Sequence, residues 1–86
     1  MAHDGRSIHG TVKEFILKEF LPGEDPDALA EDTQLMTTGI LDSLATLKLI
    51  TFLEERFQIR VEAHEADSEN LNTLADITRF VSSKLG

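Results

Sequence analysis

Apolar residues at Ile8, Val12, Phe15, Ile16 and Phe20 recur at the i, i+4, i+7, i+8 spacing of one helical face, and Ser7 stands before them as an N-cap. The pattern predicts a first helix over residues 7–20, stopped where Leu21-Pro22-Gly23 joins a helix-breaking proline to a flexible glycine. Gly10 inside it costs roughly 1 kcal/mol relative to alanine and loosens the first turn. A second helix is predicted over 43–57, with Leu44, Leu47, Ile50, Leu53 and Phe57 as its stripe and Leu49 and Phe52 widening it. Seven apolar residues in fourteen positions exceed one narrow face, so this helix is expected to touch at least two others and to form the centre of a bundle. Thr73 as N-cap, Asp76 three residues later and the face Leu74, Ile77, Phe80, Val81 and Leu85 predict a last helix over 73–85.

Two connections complete the pattern. Residues 22–42 are long for a loop in a compact domain, but Leu29, Leu35, Met36, Ile40 and Leu41 are spaced along them, so the segment can lie over the bundle with these side chains inserted. Ile59 to Glu62 alternate but have no partner strand, and are read as a loop anchored by Ile59 and Val61. The polar stretch that follows holds at most one helical turn, expected at about 65–70. The sum is an all-α fold, a small four-helix bundle of three main amphipathic helices and one short one, in a single domain spanning residues 1–86.

Composition narrows the partners. Eight Lys and Arg face sixteen Asp and Glu, a net charge of −8 that repels nucleic acid and favours basic protein surfaces. From Glu19 to Asp32 six carboxylates and no base occur in succession, read first as a solvated loop and second as a binding surface. No cysteine is present, which removes disulfides, thiolate metal sites and a cysteine nucleophile. His3, His9 and His64 are dispersed, so no metal site is expected. The N-terminal residues do not resemble a secretory signal, and no eighteen apolar residues stand together, so a cytoplasmic protein with no membrane span is expected.

Chemistry concentrates at Asp42-Ser43-Leu44, where an apolar loop meets the second helix. A serine there can cap the helix through its oxygen, or can carry a phosphodiester favoured by the helix dipole and the open N–H groups of the first turn. The two roles are compatible. A hydrolase nucleophile is a poor reading, since the chain has no Gly-x-Ser-x-Gly turn and so small a bundle offers no obvious base or oxyanion hole. Adjacent carboxylates such as Glu54 and Glu55 point about a third of a turn apart and do not suit a shared acid–base site.

GILDSLATLKLITFLEERF, residues 39–57, resembles the modification site and second helix of acyl carrier proteins and of the related peptidyl and aminoacyl carrier domains. The resemblance extends over the order of the elements, from the first helix through the long apolar-anchored loop to the last helix. It implies a non-enzymatic carrier in which Ser43 receives 4′-phosphopantetheine from coenzyme A and the arm's thiol holds an acyl or aminoacyl group. It makes Asp42 a contact for the modifying enzyme and puts Leu44, Leu47, Lys48, Glu54 and Glu55 on the helix that partners read. Leu47 remains equally readable as core, and Glu54 and Glu55 as solvated surface. The implied partners of this monomer are a phosphopantetheinyl transferase, an acyl- or aminoacyl-adenylating ligase, and downstream acyltransferases or synthases. Ala45 and Lys48 depart from the acidic residues usual after the serine in carriers of housekeeping fatty-acid synthesis, which points to a dedicated partner set. The competing reading is a small acidic interaction domain without a prosthetic group, docking through residues 43–57.

Overall fold

The computed structural model describes residues 5–85, and among them the fold is all-α. Four α-helices follow in order: α1 (Gly5–Phe20), α2 (Ser43–Phe57), α3 (Ser68–Leu71) and α4 (Leu74–Leu85), with single 3₁₀ turns at Pro26–Ala28 and Ala63–Glu65. The first helix starts at Gly5, so Ser7 lies within it and does not cap it. A cap preference of about 1 kcal/mol is a bias that a helix can extend past.

The core of the described residues is a single cluster, mostly aliphatic, with Phe57 and Phe80. Ile8, Val12 and Ile16 of α1 are fully buried with Leu74, Ile77 and Val81 of α4, and these two helices share the most extensive backbone contact. The second helix packs on both α1 and α4, as its apolar content predicts, while the most extensive backbone contact in the bundle is between α1 and α4. Phe52 of α2 is half-buried with its ring stacked on Phe15 at 4.0 Å, and Phe20 meets Phe15 edge-on at 5.7 Å.

The long connection is inserted as its apolar spacing predicts. Leu29, Leu35 and Leu41 are buried, and Met36 and Ile40 are half-buried against the core. The carboxylates of Glu19, Glu24, Asp25, Asp27, Glu31 and Asp32 all belong to exposed residues, as in a solvated loop. One hydrogen bond fastens the end of this acidic stretch to the bundle: the Ala75 N–H donates to the Glu31 carbonyl at 3.2 Å.

Past α2 the chain turns at Gln58, whose left-handed backbone (φ 57°) would favour glycine or asparagine. Its side chain offsets part of that strain by donating Nε2 to the Glu55 carbonyl at 2.8 Å. Residues 59–62 are irregular, with Ile59 and Val61 half-buried. The short helix lies slightly later than expected because carboxylates set the starts. Glu62 and Glu65 form a capping box around the 3₁₀ turn, and Asp67 accepts from the N–H groups of Glu69 and Asn70 to begin α3 at Ser68. Thr73 caps the last helix, its Oγ1 accepting from the Asp76 N–H at 3.0 Å.

The Glu65 carboxylate also receives Lys84 Nζ at 2.6 Å, tying the 3₁₀ turn to the end of α4. The hydrogen bond from Lys84, then that from the Glu62 N–H, hold the Glu65 carboxyl below the usual carboxylate range. A group with a depressed folded pKa contributes stability that is present above its unfolded pKa and lost as pH falls through the folded value. Thermal melts across acidic pH should therefore find Glu65→Gln less stable than wild type at neutral pH, with the gap closing in acid. A gap that stays constant with pH would show that the charge contributes nothing.

Candidate functional site at the start of the second helix

Asp42 precedes the first residue of α2 in extended conformation (φ −78°, ψ −174°) and is its N-cap. Its Oδ1 accepts from the Ala45 N–H and its carbonyl from the Thr46 N–H, both at 2.8 Å. Capping therefore falls to Asp42 and not to Ser43, correcting one of the two roles that sequence position allowed the serine. The consequence is chemical. Ser43 is the first helical residue, exposed, with no hydrogen-bond partner for its hydroxyl among the described residues. Among the described residues the N–H groups of Ser43 and Leu44 likewise donate to no carbonyl, so the positive end of the helix is open beside that hydroxyl.

The loop that delivers Ser43 is held in place from behind. Leu41 is buried one residue before the cap, and its N–H donates to the Leu35 carbonyl at 2.8 Å. Gly39 supplies the positive φ of 84° that the turn requires. Asn72, between α3 and α4, clamps the same loop: its carbonyl accepts from the Leu35 N–H at 2.6 Å, and its side-chain Oδ1 from the N–H groups of Met36 at 2.9 Å and Thr37 at 3.3 Å. Nothing in the hydrophobic pattern singles out Asn72, because its role lies in contacts across more than thirty residues of sequence.

The helix face around the serine differs from the predicted stripe. Leu44 and Leu47, counted there as apolar face, are the exposed large hydrophobics, at 70% and 60% of full exposure. The buried side is Ala45, Thr46, Leu49, Leu53 and Phe57. Spacing alone could not decide, since leucines occur on both sides of the helix and the core takes the i, i+4 run from Ala45 to Phe57. Lys48 is exposed one turn beyond Leu44 and forms no ion pair with a described residue. Glu55 is exposed, whereas Glu54 is half-buried and its Oε2 accepts from the Val61 N–H at 2.9 Å, a structural contact. The structure thus brings Ser43, Leu44, Leu47 and Lys48 onto one continuous face and ties Glu54 to the chain beyond the helix.

Beside Ser43 an open groove of about 590 Å³ is lined by Met36, Gly39, Leu41, Asp42, Ser43, Thr46 and Ala66. The Thr46 Oγ1 is buried at this groove with no hydrogen-bond partner. An exposed hydroxyl for attachment, two open N–H groups for a phosphate and a partly apolar groove with an unpaired hydroxyl make a donor set suited to a phosphate-linked arm.

A small all-α bundle that offers an exposed serine at a helix start is compatible with a carrier domain. The family model for the phosphopantetheine attachment site matches residues 16–81, and the chain belongs to that family. It is similar to the acyl carrier protein of Bdellovibrio bacteriovorus, 28% identical over 78 residues that cover 91% of this chain and 95% of the relative. It is also similar to the D-alanyl carrier proteins of Streptococcus sanguinis, 37% identical over 67 residues (78% of this chain, 82% of the relative), and of Streptococcus pyogenes serotype M5, 37% identical over 75 residues (87% and 91%). The protein is accordingly a carrier that holds an acyl or aminoacyl group as a thioester on a covalently attached 4′-phosphopantetheine arm, and an interaction domain without a prosthetic group is not favoured. Carriers of this family are not themselves catalysts.

Proposed function

We propose that Ser43 is the attachment point and that the cargo is an aminoacyl group. The observation that carries the first part is the division of labour at the helix start: Asp42 takes the cap, leaving the Ser43 hydroxyl exposed and unbonded. In the modification, Ser43 Oγ attacks the β-phosphorus of coenzyme A, the phosphoanhydride bond breaks, and adenosine 3′,5′-bisphosphate leaves while the hydroxyl proton passes to a base on the transferase. Once attached, the arm supplies the thiol that bears the cargo. The chain's own residues orient the hydroxyl, favour the phosphodiester through the open amides of Ser43 and Leu44, and present the docking face. The whole chain acts as one carrier domain and as a monomer, in the cytoplasm where coenzyme A and its transferases are found.

Intact mass spectrometry tests the attachment. With coenzyme A, Mg²⁺ and a broad-specificity phosphopantetheinyl transferase, the wild-type protein should gain a single phosphopantetheinyl mass and Ser43→Ala none. An unmodified wild type, or a modified alanine variant, would refute the assignment.

The likeness to D-alanyl carrier proteins at 37% identity supports the aminoacyl reading. The docking face is Leu44, Leu47 and Lys48, with Asp42 and Glu55 at its margins. Lys48 is a cation amid a charge of −8 and forms no ion pair with a described residue, which suits an acidic group on the adenylating ligase. Lys48→Glu should lower kcat/KM for loading by a D-alanine-adenylating ligase about threefold to tenfold at low salt, the effect shrinking as ionic strength rises. Faster loading of the glutamate variant would mean that the ligase presents a basic surface there. Loading by long-chain fatty acids alone would refute the aminoacyl cargo.

A further inference from the structure

Lys48, Phe52 and Arg56 stand at i, i+4 and i+8 on the side of α2 toward α1, and Thr11, Phe15 and Lys18 line the opposing side of α1. Between them run two adjoining hollows of about 360 and 400 Å³ that share Phe15, Glu19 and Phe52. The stacked rings of Phe15 and Phe52 are only half-buried, so this seam keeps aromatic surface that a partner can cover. Its charges are also unusual for the chain. Of the bases whose side chains are described, Arg79 and Lys84 are held in ion pairs, whereas Lys13, Lys18, Lys48, Arg56 and Arg60 pair with no described carboxylate. Three of those five line the seam. Glu14, Glu19 and Glu55 line it as well, which makes the seam neutral in a chain of net charge −8. Charges more than about 8 Å away are largely screened at physiological ionic strength, so a partner in contact here meets the seam and not the net charge.

Leu47 and Lys48 belong both to the docking face beside Ser43 and to one of the hollows, so the two surfaces are continuous. From Ser43 to Arg56 is about 20 Å along the helix axis, a length that one partner of ordinary interface size can span. We propose that the seam between α1 and α2 is a second docking surface for the adenylating ligase. It takes an acidic segment whose apolar side chain covers the Phe15–Phe52 pair and whose carboxylates meet Lys18, Lys48 and Arg56. A contact on α1 fixes the rotation of the ligase about α2, which the face on α2 alone leaves free. It also selects, because a basic surface drawn in by the net charge would bring its own cations against three unpaired bases at this place.

The seam rests on the reading that Lys48 meets an acidic group of the ligase, and the two can fail separately. Loading of holo-protein by a D-alanine-adenylating ligase is the test. Lys18→Glu should lower kcat/KM about threefold to tenfold, through KM with kcat held, and the loss should shrink as salt rises. Lys18→Gln should fall between the two, and it carries the test if the glutamate variant does not fold. Arg60→Glu makes the same change in net charge off the seam and should leave loading nearly unchanged. In isotope-labelled holo-protein, unlabelled ligase should broaden the amides of Thr11, Phe15 and Lys18 as well as those of Leu44 to Lys48. Equal losses in Lys18→Glu and Arg60→Glu would reduce the effect to net charge and overturn the seam. Faster loading of Lys18→Glu, or amide broadening confined to α2, would overturn it too, as would a wild-type dimer in sedimentation that Lys18→Glu dissociates, since the occupant would then be a second copy. Slower loading of Lys48→Glu with Lys18→Glu at the wild-type rate would sink the seam and keep the docking face. A ligase that ignores both substitutions, or that does not load the wild type, overturns both.

Discussion

Leu53→Ala is expected to lower the unfolding free energy by about 2–5 kcal/mol, whereas Leu47→Ala, two turns away on the same helix, should change it by no more than about 0.5 kcal/mol. Leu53 is completely buried, so its truncation removes apolar burial and leaves a cavity that the neighbouring side chains fill only partly. Leu47 already stands 60% exposed and has little burial to lose. For 86 residues a total stability of roughly 4–13 kcal/mol is ordinary, so the first substitution removes a large share of it. Their functional effects should be reversed. Folded Leu53→Ala protein should accept the prosthetic group at a near-normal rate, while Leu47→Ala should be a poorer substrate for its partners at unchanged stability. Urea titrations followed by circular dichroism, paired with initial rates of modification and loading, would check both halves. Equal stability losses for the two leucines would mean that the assignment of helix faces is wrong.

Asn72→Leu is the second large effect, expected at about 1–3 kcal/mol. It removes the acceptor shared by the Met36 and Thr37 amides. Thr37 is exposed and water can replace the lost partner, so most of the cost falls on the half-buried Met36 amide. The change reaches the site, because residues 35–41 lead directly to the cap at Asp42. Hydrogen exchange should accelerate at Met36 more than in α1 or α4, and transferase kcat/KM should fall although Asn72 lies outside the docking face. Asn72→Asp keeps a side-chain oxygen and should recover most of both properties. Uniformly faster exchange in Asn72→Leu would indicate a general loss of stability and no specific clamp.

The helices were legible because the signals that make them are local. The apolar period of α1, the Thr73 cap and the face of α4 all involve residues within a turn or two of one another, and the structure keeps them. The insertion of the long loop was legible too, since Leu29, Leu35 and Leu41 would be costly to leave in water. The serine stood out as a candidate through Asp42-Ser43-Leu44 in its setting. Which of two adjacent polar residues would cap the helix was not, because aspartate and serine are about equally good caps and differ here only by one step in register.

The sequence by itself determined the helix periodicity, the acidic character, the absence of cysteine and the place of a serine at the start of the second helix. These follow from residue type and near-neighbour spacing, which no packing arrangement can alter. Tertiary structure alone decided that Leu44 and Leu47 face outward while Leu49 and Leu53 face in. It also decided that Glu54 bonds to Val61, that Asn72 holds the loop before Ser43, and that Thr46 has a hydroxyl without a partner. The physical reason is common to all four: each depends on how segments apart in sequence pack against one another. Which side is buried, and so which groups remain unpaired beside the serine, depends on where α1, α4 and the loop come to rest.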